Sequence, residues 1–135
     1  VTAVPGFEKT FRSHDLMAYG AATWDWFSVH YDQHRAEALG FPGCFVDGQN
    51  FGALFAKQAM DWSGPRGFIS AMSLRYRAMV FVGDSVVGSA EVSNVAAVGD
   101  TEIVTLSQII RRGDTTVATC TTTLRRPVTM EGGSS

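Results

Sequence analysis

The dipeptide Gly-Asp recurs at 83–84, 99–100 and 113–114 and cuts the second half of the chain into runs rich in Val, Ile and Thr. Glycine reaches the left-handed conformations that tight turns need, and β-branched residues suit a pleated surface. Residues 68–82, 85–98, 101–112 and 115–125 therefore read as four strands, and turns this short impose antiparallel pairing. In the first strand Phe68, Met72, Leu74, Tyr76, Val80 and Val82 share one face, with Ser73, Arg75 and Arg77 on the other. A meander with one apolar face has to bury it against something.

The partner surface is written just before it. In DGQNFGALFAKQAMDWSGP, Phe51, Leu54, Phe55, Ala59 and Trp62 recur at helical spacing, Asp47-Gly48 opens the segment and Ser63-Gly64-Pro65 closes it. This predicts a helix of about three turns whose apolar stripe faces the sheet. Shorter helices are expected from His14-Asp15 to Ala22 and from Gln33 to Leu39, and alternation over Phe7 to Phe11 suggests a first strand. The result is an α+β fold, one antiparallel sheet wrapped on one long helix. A length of 135 residues, 45% of them apolar, suits one domain over residues 1–127, with a disordered tail over 128–135 ending EGGSS.

A formal net charge of −2 with no basic tract argues against nucleic acid as a partner. No run approaches the ~18 apolar residues that span a bilayer, and the first residues lack a signal-peptide pattern, so no membrane partner and a cytoplasmic location are expected. Cys44 and Cys120 have no paired spacing and read as free thiols. The absence of a Walker loop, a Rossmann fingerprint and a GxSxG elbow argues against phosphoryl transfer, hydride transfer and serine hydrolysis, and no cofactor is expected.

The stretch ATWDWFSVHYDQH, residues 21–33, sets Asp25 and His30 among Trp24, Trp26 and Phe27 in a connection between two short helices. A carboxylate and an imidazole converging on one water can position it and move its protons, and aromatic walls lower the local dielectric. The same residues also suit a capped turn and a packed, hydrogen-bonded histidine, and spacing alone does not choose. His30 and His34 are four residues apart, a metal-binding spacing with Asp25 as a third ligand, but no HExxH-type glutamate accompanies them and no metal site is expected. Asp15, Asp32, Asp47 and Asp61 read as caps and surface charges. Gly48 opens the long helix, where unpaired amides at the positive end of the dipole would stabilise an oxygen that gains negative charge; an ordinary tight turn fits equally well.

These stretches resemble the MaoC-like hydratases and dehydratases of the hotdog fold, the R-specific enoyl-CoA hydratases, over about residues 7–127. The family pattern is roughly a tyrosine, a few small residues, GDxNPxH, an acidic helix and a Phe-Gly turn into HGM. It is read here in YGAATWDWFSVHYDQHRAEALGFPGCFVDGQNFGALF, followed by DWSGP and the strand pair SLRYRAMVFVGDSVVGSAEV. Asp25 and His30 match the family's acid and histidine, and Gly48 matches the glycine of HGM. Trp24 stands where the family has glycine, Phe27-Ser28 where it has Asn-Pro, and Asp47 where it has the histidine of HGM. A similarly altered motif occurs in the small subunit of the actinobacterial hydratases acting on steroid side-chain CoA esters, which pairs with a second MaoC-like chain; DWSGP is similar to that subunit too.

The resemblance implies a hotdog protomer joined to a second protomer, as a homodimer or a heteromer, through paired sheets. It implies a trans-2-enoyl thioester of CoA or acyl carrier protein as substrate. Asp25 and His30 would hold one water that adds across C2–C3 to give the (3R)-hydroxyacyl thioester, or is lost in the reverse dehydration. Gly48 N–H would bind the thioester carbonyl, and Trp24, Trp26, Phe27 and Phe51 would be substrate contacts. Two other readings are a hotdog thioesterase, whose carboxylate usually comes from the central helix, which here offers only Asp47 at its entrance and Asp61 at its end, or from a neighbouring loop, and a non-catalytic structural subunit of a heteromeric hydratase.

Overall fold

In the computed structural model, which describes residues 3–24 and 28–128, the glycines of all three Gly-Asp dipeptides have positive φ: 97° at Gly83, 62° at Gly99 and 58° at Gly113. The last two close two-residue hairpins, with Val98 paired to Thr101 and Arg112 to Thr115. The strands are β1 (Ala3–Thr10), β2 (Phe68–Tyr76), β3 (Ser85–Val98), β4 (Thr101–Arg112) and β5 (Thr115–Pro127). They form one antiparallel sheet in the order β1-β3-β4-β5-β2. Helices α1 (Ser13–Thr23), α2 (Gln33–Ala38) and α3 (Gly48–Ser63) lie between β1 and β2 in sequence, with a single 3-10 turn at Ser28–His30. α3 packs on β1, β2, β4 and β5, which is the hotdog arrangement.

The apolar stripe of α3 does what its spacing predicts. Phe51, Phe55 and Ala59 are buried, Leu54 and Trp62 partly so. Phe55 packs in a cluster with Phe11, Val80, Val86, Ile110 and Val117, and its full burial contributes about 1.5–3 kcal/mol. Beneath the helix runs a hydrogen-bonded line of buried polar side chains. Thr122 Oγ1 donates to Gln108 Oε1. Gln108 Nε2 donates to the Phe55 carbonyl and to Gln58 Oε1, both at 2.9 Å, and Gln58 Nε2 donates to the Pro5 carbonyl at 3.0 Å. Each of these groups in the core is satisfied, so the line fixes the position of α3 over the sheet, where an apolar interface alone would let it slide. Cys44 and Cys120 are buried free thiols.

Three expectations need correction. The strand expected over 68–82 ends at Tyr76, and further on only Phe81 makes an isolated bridge, to Phe45. Within β2, Ile69 pairs with Leu124 and Ala71 with Thr123, so Ser70 is an extra residue in the ladder. Such a bulge inverts the alternation: Ile69 packs against the core, as do Met72 and Leu74, while Phe68 is 66% exposed. A strict period of two had put Phe68 inside. α3 has 16 residues, more than the expected three turns. The expected disorder of the tail concerns residues that, except for 128, lie outside those described.

Candidate active site

His30 closes the 3-10 turn, which is pinned by the fully buried Val29. The Ser28 carbonyl accepts from both Tyr31 N and Asp32 N, and Asp32 then caps α2 by accepting from Arg35 N at 3.1 Å. The imidazole is half-buried, edge-on to the Phe45 ring at 4.9 Å, with Nδ1 2.8 Å from the Phe45 carbonyl oxygen. That carbonyl is held in place because its neighbours bond to the segment after β2: Val46 N donates to the Val80 carbonyl and Val82 N to the Cys44 carbonyl. A carbonyl can only accept, so Nδ1 carries the proton in this bond, and in the neutral ring Nε2 is the basic nitrogen.

The start of α3 faces the same region. Asp47 caps it in extended conformation, Oδ1 accepting from Gln49 N at 3.0 Å and the Asp47 carbonyl from Asn50 N at 2.9 Å. Gly48 N–H makes no hydrogen bond among the described residues and lies at the positive end of a 16-residue helix. Burial, with the Asp47 carboxylate second, pushes the nearby Tyr76 hydroxyl up from its ordinary value. Between α1 and this helix start lies a cavity of about 10 Å³ lined by Leu16, Tyr19, Gly20, His30, Asp47 and Asn50. It has room for roughly one water.

The structure thus brings His30 and the start of α3 to one place. Asp25, Trp26 and Phe27 lie outside the described residues. Trp24 ends α1 with φ 61° and ψ 30°, its N–H donating to the Gly20 carbonyl, and it is 80% exposed. A side chain in this left-handed region costs about 1–2 kcal/mol, and the family pattern has glycine at this position. Trp24→Gly is expected to raise unfolding stability by about 1 kcal/mol, read as a higher midpoint in urea with an unchanged slope. An unchanged midpoint would mean that the left-handed end is compensated locally.

Phe51 is the remaining aromatic residue expected to contact the substrate. It is 2% exposed and stands edge-on to Phe11 at 6.0 Å in the core, where its place in the apolar stripe puts it. His34 is exposed on α2, and no group of three or more metal-ligating side chains occurs among the described residues. Asp15 accepts from Arg12 N at 2.9 Å and Asp61 pairs with Lys57 at 2.7 Å, in line with caps and surface charges. Tyr19, Leu16 and Asn50 were missed as lining residues. For Asn50 a signal existed: with Gln58 it is a polar residue on the buried arc of α3.

Over 80 residues the chain is 29% identical to the mitochondrial 3-hydroxyacyl-[acyl-carrier-protein] dehydratase of Arabidopsis thaliana, covering 59% of this chain and 48% of that protein. Over 80 residues it is 31% identical to the 3-oxo-4,17-pregnadiene-20-carboxyl-CoA hydratase beta subunit of Mycobacterium tuberculosis, covering 59% of this chain and 62% of that one. The chain thus spans about half to three fifths of the length of these curated relatives. Among solved structures, the ChsH1-ChsH2 complex from Mycobacterium tuberculosis contains a chain that superposes with a TM-score of 0.84 at 25% identity, covering 93% of this chain and 98% of that one. The MaoC like domain model matches residues 3–114, most of the chain, and the protein belongs to that family.

Proposed function

We propose that this chain hydrates trans-2-enoyl thioesters to (3R)-hydroxyacyl thioesters, or runs the reverse dehydration. The observation that carries the reading is the His30 to Phe45 carbonyl bond, which leaves Nε2 as the base beside a water-sized cavity and the unbonded Gly48 N–H. Asp25, five residues before His30, is the acid of the family pattern. Together Asp25 and His30 hold the water; its hydroxyl adds to C3 and a proton reaches C2 on the same face. The carbonyl oxygen gains enolate charge as C2 becomes carbanion-like, and the helix amide at Gly48 stabilises it. The relatives' names, a 3-hydroxyacyl-[acyl-carrier-protein] dehydratase and a 3-oxo-4,17-pregnadiene-20-carboxyl-CoA hydratase beta subunit, support the same reaction class.

The thioesterase alternative is weaker, because the carboxylates on α3 are otherwise engaged. Asp47 caps the helix through Oδ1, and Asp61 is exposed at the far end with Lys57. The water-sized cavity is too small for an acyl thioester, so the substrate enters a site that a second protomer helps to form. Of the two sheet edges, β1 carries Pro5 and a bulge between Val4 and Phe7, features that block strand addition. β2 has no proline and offers residues 71–76 in regular register. A second MaoC-like chain pairs there, as a homodimer or a heteromer; the similarity to a chain of a two-component complex supports the second form.

The purified chain is expected to remove the enoyl-thioester absorbance of crotonyl-CoA, a longer 2-enoyl-CoA or a steroid enoyl-CoA without releasing free CoA. Release of free CoA would favour hydrolysis. Silence with every substrate, both alone and with a co-purified MaoC-like partner, would overturn the reading.

A further inference from the structure

We propose that Asn50 is a catalytic residue of this site, its side-chain Nδ2–H joining Gly48 N–H to hold the thioester carbonyl oxygen as it gains enolate charge. The inference rests on the hydratase reading and names a group that the reading lacks. A carbonyl oxygen becoming an enolate has two lone pairs to satisfy, and stabilising sites of this kind aim preformed donors at both. In the first turn of α3 the amides of Gln49 and Asn50 are already bonded to Asp47, which leaves Gly48 N–H as the unbonded one of the three. A second donor then has to be a side chain.

Asn50 meets the requirement by burial, direction and lack of a partner. It is 8% exposed, and among the described residues its carboxamide makes no hydrogen bond. The other buried amides, Gln58 and Gln108, are both bonded within the protein. Side chains in a helix lean toward its N-terminus, so the third residue of α3 carries its amide back over the Gly48 end. Asn50 and His30 line the same cavity. In a 2-enoyl thioester the carbonyl carbon is two bonds from C3, the atom that receives water. A carbonyl donor and a water-activating base on the walls of one small cavity match that spacing.

The test uses the full chain, with the partner if turnover requires it. Asn50→Ala removes the carboxamide. Asn50→Asp keeps its shape but replaces the donor with an acceptor. With crotonyl-CoA, kcat is expected to fall about 10²–10³-fold in Asn50→Ala and at least as far in Asn50→Asp, with KM changed much less. A folded Asn50→Ala that keeps wild-type kcat would overturn the proposal, and so would wild-type kcat in Asn50→Asp, since water orientation through Oδ1 would then explain the residue. A second measurement needs neither turnover nor a folded variant: ¹⁵N-labelled wild-type protein is titrated with butyryl-CoA, which carries the carbonyl but cannot be hydrated. The Asn50 side-chain amide signals are expected to shift, and no shift overturns the proposal. A shift without crotonyl-CoA turnover would keep the carbonyl contact and sink the hydratase reading; turnover with unaffected variants would do the reverse.

Discussion

His30→Asn is expected to lower kcat for enoyl-thioester hydration by about 10²–10⁴-fold, equivalent to about 3–5 kcal/mol of transition-state stabilisation, while the protein stays folded. Asparagine is chosen because its Nδ2 sits close to where the imidazole Nδ1 was and can still donate to the Phe45 carbonyl, the 2.8 Å bond that ties the 3-10 turn to the segment before α3. What it lacks is the basic nitrogen at Nε2. His30→Ala removes both and mixes lost chemistry with a loosened turn. Asp25→Asn is expected to reduce kcat over the same range, and the double variant to fall little further, because two groups acting on one water are not additive. A folded His30→Asn with kcat near wild type would remove the histidine from the chemistry and leave it a structural role in holding Phe45.

How much of this could be read from residues alone depends on where the information lies. Hairpins are local: the Gly-Asp pairs put φ > 0 where β3–β4 and β4–β5 turn, and the limits of β3 and β4 match the expected 85–98 and 101–112. Helical periodicity is also local, and it correctly placed Phe55 and Ala59 in the core. The bulge at Ser70 was hidden, because it is a property of pairing with β5 and no residue type announces it. The site shows the same division. Asp25 and His30 are singled out by their aromatic surroundings and by the family resemblance, but the partner of His30 is a backbone carbonyl 15 residues away, which has no side-chain signature. Phe51 and Asn50 are neighbours in sequence on the inward arc of α3. The resemblance implies a substrate contact at Phe51, whose ring in the apolar stripe packs in the core, while its polar neighbour lines the cavity. At Trp24 the left-handed conformation explains why a glycine is the easy choice at that point of the family pattern.

Gly48→Pro isolates the other half of the proposed chemistry. The position is the first residue of α3, where proline is well tolerated because its missing N–H has no helical partner. Asp47, at φ −62° and ψ 130°, already has the extended backbone that a residue before proline adopts. The substitution therefore removes one N–H, the one that makes no hydrogen bond among the described residues, and leaves the cap from Asp47 Oδ1 to Gln49 N in place. The expected result is a loss of about 10²–10³-fold in kcat, a much smaller change in KM, and a melting temperature close to wild type. Gly48→Ala is the matched control. It keeps the N–H, and its Cβ would meet the Tyr76 ring at 3.5 Å, an ordinary contact, so its kcat is expected to stay at least about tenfold above that of the proline variant. If both variants fold and turn over alike, the helix amide does not stabilise the carbonyl oxygen. If proline lowers kcat and alanine does not, the fall measures the N–H itself, because no other donor or acceptor in the first turn of α3 has changed.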